Sequence, residues 1–154
     1  MAAVSGRQRI LALASGGGHW VQLLRLRAAF EGCDVTYACV RADYAEDVPG
    51  ERFVCFTDAT RWDRWRLLKM LVQVAWIVLT RRPDVVISTG AAPGYVAILV
   101  GKWLGARTIW LDSIANVERL SLSGERVGRH ADLWLTQWPH LARPDGPRCM
   151  GAVI

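Results

Sequence analysis

Residues 11–20 read LALASGGGHW: an apolar run that ends in three glycines, a histidine and a tryptophan. A β-type run that stops at a glycine cluster and gives way to a helical period is how a strand–loop–helix unit of an α/β fold begins. The pattern recurs along the chain. Strands are expected at Ile10–Ala14, Asp34–Val40, Arg52–Phe56, Asp84–Ser88, Arg107–Leu111 and Leu133–Thr136, with helices at Trp20–Phe30, Trp62–Thr80 and Gly94–Leu104. The first helix carries Trp20, Leu23, Leu24 and Phe30 at core-facing spacing, and Gly32 marks its end. This alternation predicts an α/β, Rossmann-like parallel sheet with helices on both faces. In that fold strands one and four lie side by side, and ligands bind above their carboxyl ends.

At 154 residues and 52% hydrophobic content, the chain is expected to be a single packed domain over residues 1–154. The net charge of +5 rests on arginine, because Lys69 and Lys102 are its lysines. Arginine forks suit phosphate, so an anionic partner is expected, whether nucleic acid, phospholipid or sugar phosphate. Cys33, Cys39, Cys55 and Cys149 form no CxxC pair, which predicts reduced thiols in a cytosolic setting and no zinc site. The opening MAAVSGRQR carries no apolar signal core, so export is not expected. Three prolines between Trp138 and Arg148 predict an irregular tail over residues 138–154.

Two glycine loops carry the functional reading. SGGGH (15–19) ends the first strand, and STGAAPG (88–94) ends the fourth, with Pro93 at a helix start, where a missing N–H costs nothing. Glycines let backbone amides approach a ligand, and each helix start adds about half a positive charge. Either loop alone is equally well a tight turn; two at one switch point make an anion site suited to a diphosphate. After the fifth strand, in WLDSIANVERLSLSG (110–124), Asp112, Ser113 and Asn116 are placed either to hydrogen-bond sugar hydroxyls or merely to start a helical turn. A dinucleotide fingerprint needs glycine or alanine where Val21 stands, and an acid where Arg41 stands. Arginine suits a 2′-phosphate, so an NADP-binding oxidoreductase or a nucleotide-binding regulatory protein is the alternative. No Walker lysine is present.

Residues 61–84, RWDRWRLLKMLVQVAWIVLTRRPD, hold only Lys69 and Gln73 as polar residues between Leu67 and Leu79. Thirteen residues make about 20 Å of helix, too short to cross a bilayer. Trp62, Trp65, Arg66, Trp76, Arg81 and Arg82 flank or punctuate this run as a lipid headgroup layer would favour. A sheet-covering helix needs one apolar face, and this one is apolar nearly all round, so a membrane-surface helix is expected.

In order, SGGGH before a Q-L-L helix, PDVVISTGAAPG, LDSIANVERLSLSG and ADLWLTQWP span Ile10 to Ile154 and resemble the membrane-anchor, acceptor-binding subunit of two-chain GT-B glycosyltransferases. That family comprises the oligosaccharide-biosynthesis proteins that help make dolichol-linked sugar, together with bacterial relatives in exopolysaccharide and capsule assembly. The resemblance implies the amino-terminal half of a GT-B enzyme. It would be a peripheral protein at the cytoplasmic membrane face, presenting a polyprenyl-diphosphate-linked saccharide to a donor-binding partner subunit that holds the UDP-sugar. It implies no cofactor, metal or nucleic-acid partner of this chain's own, and no transfer by the chain alone. Eukaryotic members carry an amino-terminal span; here attachment is expected from the tryptophan helix, the acceptor or the partner. The resemblance places Gly16, Gly17, Gly18, Gly90, Pro93 and Gly94 around the acceptor diphosphate and the apolar carboxyl end against the partner. His19 becomes the first candidate base, since an unperturbed histidine titrates near 6.5, with a phosphate donor or a structural cap as its alternative roles. Asp112 is the second, where other members often carry glutamate.

Overall fold

Continuous Val/Ile/Leu/Ala runs are strands buried on both faces, and they form the centre of the molecule. A computed structural model describes residues 6–154; residues 1–5, part of the segment read as lacking an export signal, lie outside it. Strands β1 (Arg9–Leu13), β2 (Asp34–Cys39), β3 (Arg52–Cys55), β4 (Val85–Ser88), β5 (Arg107–Leu111), β6 (Leu133–Thr136) and β7 (Arg148–Cys149) form one sheet in the order β3-β2-β1-β4-β5-β6-β7. Every neighbouring pair is parallel. β1 lies between β2 and β4, with Leu13 in register with both Ala38 and Ser88, so the winding reverses between β1 and β4 as expected.

Helices α1 (Gly18–Arg25), α2 (Arg64–Arg81), α3 (Ala91–Trp103) and α4 (Leu122–Val127) connect the strands, with 3₁₀ turns at Arg27–Phe30, Ala42–Asp47 and Pro139–Leu141. α1 packs Trp20 and Leu23 on the face of Ile10, Ala12, Val35 and Tyr37. The other face receives Met70, Val74, Ile77 and Val78 of α2, Ala97 and Ile98 of α3, and Val127 of α4. Helices thus cover both faces, though not evenly. On the α1 side, β4 to β6 border an open groove of about 810 Å³ lined by Phe30, Val85, Ile87, Ile109, Leu133 and Leu135.

Several boundaries differ from expectation. α1 begins at Gly18 rather than Trp20, and after Arg25 the chain tightens into the 3₁₀ turn. α2 starts after Trp62 because the Asp63 side chain caps it, accepting from the Arg66 N–H at 3.0 Å. α3 starts at Ala91, so Pro93 sits inside the first turn, where no intrahelical acceptor exists for an N–H anyway. Asp84 stands outside β4: it receives the Arg9 guanidinium and backbone N–H, which together hold its carboxyl below the usual range. The tail is not wholly irregular, since Arg148–Cys149 adds β7 beside β6, and α4 lies in a segment with no helical expectation.

Candidate functional site

β1 and β4 end side by side, so the two glycine loops meet. The His19 Nδ1 lies 2.9 Å from the Thr89 carbonyl oxygen, and the Thr89 hydroxyl donates to the His19 carbonyl at 2.7 Å. A carbonyl only accepts, so Nδ1 carries the proton and Nε2 is left as the basic nitrogen. His19 is half-buried rather than sealed. Gly90 lies directly beneath its ring: a Cβ there would sit 2.6 Å from Cε1, and φ is +142°, which a side chain rarely adopts.

In the first loop, Gly17 adopts φ +67° and caps α1. Gly17 and Gly18 are exposed, and a Cβ at either would meet nothing within 4 Å, so their backbone faces open space. Gly16 is half-buried against Val40. The Gly17 N–H donates to the Tyr44 hydroxyl at 3.2 Å. The Tyr44 ring stacks on Trp20 with centroids 5.3 Å apart, and the Arg41 guanidinium lies 5.2 Å above it.

Two members of the second loop pack inward. Gly94 and Pro93 are both buried. A Cβ on Gly94 would lie 2.0 Å from the Ser88 Oγ and 3.2 Å from Trp110, so its smallness lets α3 approach the sheet. They seat the helix whose start Gly90 caps.

The third loop is more heavily engaged than the sequence suggested. Asp112 is 1% exposed. Its Oδ1 accepts from the Ser121 hydroxyl at 2.6 Å and the Trp110 indole at 3.2 Å, and its Oδ2 from the Ser121 N–H at 3.0 Å and Asn116 Nδ2 at 3.2 Å. With both oxygens occupied by internal donors, this carboxylate fastens the 112–121 loop and has no free edge for an acceptor hydroxyl. Asn116 serves that clamp, and the buried Ser113 hydroxyl accepts from the Ala115 N–H and Gln22. Ser121, not Asp112 or Ser113, caps α4.

Sequence reasoning missed a buried amide network behind the site. Gln22 Oε1 accepts from the Ile114 N–H at 3.1 Å and from Gln137 Nε2 at 2.6 Å; Gln137 Nε2 also reaches the Asp112 carbonyl, and Gln137 Oε1 takes the Val153 N–H at 2.7 Å. α1, the third loop, the end of β6 and the carboxyl tail are thereby joined. The available signal was Gln22, a polar residue between Trp20 and Leu23 on a core-facing helix. Met150 and Ile154 of the tail stay exposed.

On α2 the buried row Met70, Val74, Ile77 and Val78 is opposed by an exposed row of Trp65, Leu68, Val72, Trp76 and Leu79. Trp62 and Trp65 are 81% and 82% exposed, too much for core residues, and Arg66, Arg81 and Arg82 are exposed beside this stripe. Among the described residues, no helix is long and apolar enough to cross a membrane, and no group of three or more His, Cys, Asp and Glu side chains is placed to hold a metal ion.

The family model for "Oligosaccharide biosynthesis protein Alg14 like" matches residues 62–151, more than half of the chain. The chain belongs to the Alg14-like family. Two relatives are named as UDP-N-acetylglucosamine transferase subunit Alg14. That of Schizosaccharomyces pombe is 27% identical over 88% of this chain and 78% of its own length; that of Eremothecium gossypii is 27% identical over 96% and 80%. Among solved structures, MurG of Acinetobacter baumannii superposes with a TM-score of 0.73 at 13% identity, over 92% of this chain and 45% of its own. A UDP-N-acetylglucosamine 2-epimerase of Rickettsia bellii gives 0.65 at 10% identity, over 88% and 40%. The Alg14-like chain therefore has the Rossmann-like fold of the GT-B type and spans less than half the length of these structural neighbours.

Proposed function

We propose that the chain is the acceptor-binding, membrane-associated subunit of an inverting, UDP-sugar-dependent glycosyltransferase in polysaccharide assembly. Its acceptor is a polyprenyl-diphosphate-linked saccharide at the cytoplasmic membrane face, and a separate donor-binding subunit holds the UDP-sugar. The observation that carries the reading is the His19–Thr89 pair, which brings both glycine loops and the starts of α1 and α3 together. Membership in a family whose relatives are named as transferase subunits supports it.

In this scheme the first-turn amides of α1 receive the diphosphate. His19 Nε2 takes the proton of the acceptor hydroxyl; the hydroxyl oxygen then bonds to the anomeric carbon, and the carbon–oxygen bond to UDP breaks with its electron pair leaving on UDP. The stripe on α2 rests in the headgroup layer. The tail, anchored at Arg25 and Gln137, residues one and two positions from Leu26 and Leu135 of the groove wall, faces the partner.

The test is co-purification with candidate donor-binding subunits, followed by transfer from UDP-N-acetylglucosamine to a polyprenyl-diphosphate sugar. Transfer is expected from the pair and not from either chain. Turnover by this chain alone, or undiminished turnover by a partner without it, overturns the reading.

A further inference from the structure

The first glycine loop is gripped from outside by a stack whose parts come from two elements. Trp20 of α1, at the bottom, is 1% exposed and donates its indole N–H to Asp47 at 2.8 Å, which pins the 3₁₀ turn Ala42–Asp47. Tyr44 of that turn lies flat on Trp20, with an interplanar angle of 8°, and the Arg41 guanidinium lies 5.2 Å over its ring while forming a bidentate pair with Asp43. A phenol ring stacked on an indole and approached by a guanidinium has little freedom to swing. Its hydroxyl therefore meets the Gly17 N–H at a fixed point and holds the residue whose φ of +67° turns the chain into α1.

We infer that Tyr44 is a positioning residue for phosphate binding: by taking the Gly17 N–H, its hydroxyl fixes the loop so that the next amides, those of Gly18 and His19, point to the anion. The inference rests on the acceptor-binding reading above. Those two amides lie in the first turn of α1 and have no intrahelical acceptor. Gly17, having no side chain to lock it, needs an outside partner to stay in one conformation, and the fold supplies a tyrosine with its own ring already immobilised.

Tyr44→Phe isolates the effect, since it keeps the ring stack and deletes only the hydroxyl. Two readouts are taken on the full chain and on the reconstituted pair. Inorganic pyrophosphate is titrated into ¹⁵N-labelled chain while the Gly18 and His19 amides are followed, and the acceptor KM and kcat are measured in the pair. The wild-type amides shift saturably; Tyr44→Phe weakens that binding and raises acceptor KM, each about fivefold, the size of one hydrogen bond. kcat and Tm stay near wild type, Tm within about 2 °C because the lost bond lies at the surface. Equal affinity and KM in both proteins overturn the inference and leave the acceptor reading standing, as does a lowered Tm with unchanged KM, which makes the hydroxyl structural only. Absence of both a saturable shift and transfer in the wild type overturns the acceptor reading and this inference together.

Discussion

At His19 one ring nitrogen is committed to Thr89 and the other is available, whereas at Asp112 both oxygens are committed. His19 is the first candidate base and Asp112 the second, and their environments separate them. His19→Ala is expected to lower transfer by the reconstituted pair at least a hundredfold, the usual scale for losing a general base, with thermal stability almost unchanged because the ring is half-exposed. Unchanged transfer rates remove His19 from the chemistry. Asp112→Ala should do the reverse first: it leaves the Ser121, Asn116 and Trp110 donors without their acceptor and costs about 2–4 kcal/mol of stability, measured by urea unfolding. An Asp112→Ala protein as stable as wild type would contradict the clamp.

Elements are tied together by a few polar clasps, and one of them gives the fold a pH dependence. Asp132, just before β6, accepts from Lys102 of α3 and from the Thr108 N–H and hydroxyl of β5. The Lys102 hydrogen bond, foremost, and those from Thr108 hold the Asp132 carboxyl below the usual range. A carboxyl depressed in the folded state stabilises above its unfolded value and loses that contribution as pH falls through the folded one. The stability gap between wild type and Asp132→Asn is therefore expected to be full above about pH 4 and to close below it. Parallel urea titrations from pH 7 to pH 3 measure it; a gap that stays constant with pH would mean that the carboxylate charge contributes nothing to the clasp.

For the whole molecule, the question is what meets the unsatisfied apolar surface. α2 buries one row on the sheet and presents another, Trp65 to Leu79, to solvent with arginines at both ends. Because these side chains contribute no core packing, replacing Trp62, Trp65 and Trp76 by Ser is expected to leave Tm within about 3 °C of wild type while abolishing sedimentation with anionic liposomes. Val74→Ala, on the buried row, should do the opposite, destabilising by about 2 kcal/mol without affecting sedimentation. Continued sedimentation of the triple variant would remove these tryptophans from membrane attachment.

What was legible in the sequence is what short-range pattern encodes. The β-type runs, the glycine turns that end β1 and β4, the α2 pattern and the parallel α/β architecture all follow from residues near one another in the chain, where apolar period and backbone freedom act directly. Gly90 was readable as a turn, but its place beneath His19 was not, because that contact spans two strands of the sheet. The same holds for the seating of Gly94 against Ser88, for the closure of Asp112 by Ser121, and for the Gln22–Gln137 link to Val153. A side chain's type states which bonds it is able to make; which of them are already taken depends on neighbours brought close only when the sheet assembles. Local pattern sets the six longer strands, the glycine turns and the surplus of apolar surface, and assembly of the sheet sets which histidine nitrogen, which loop glycines and which helix face are left without an internal partner.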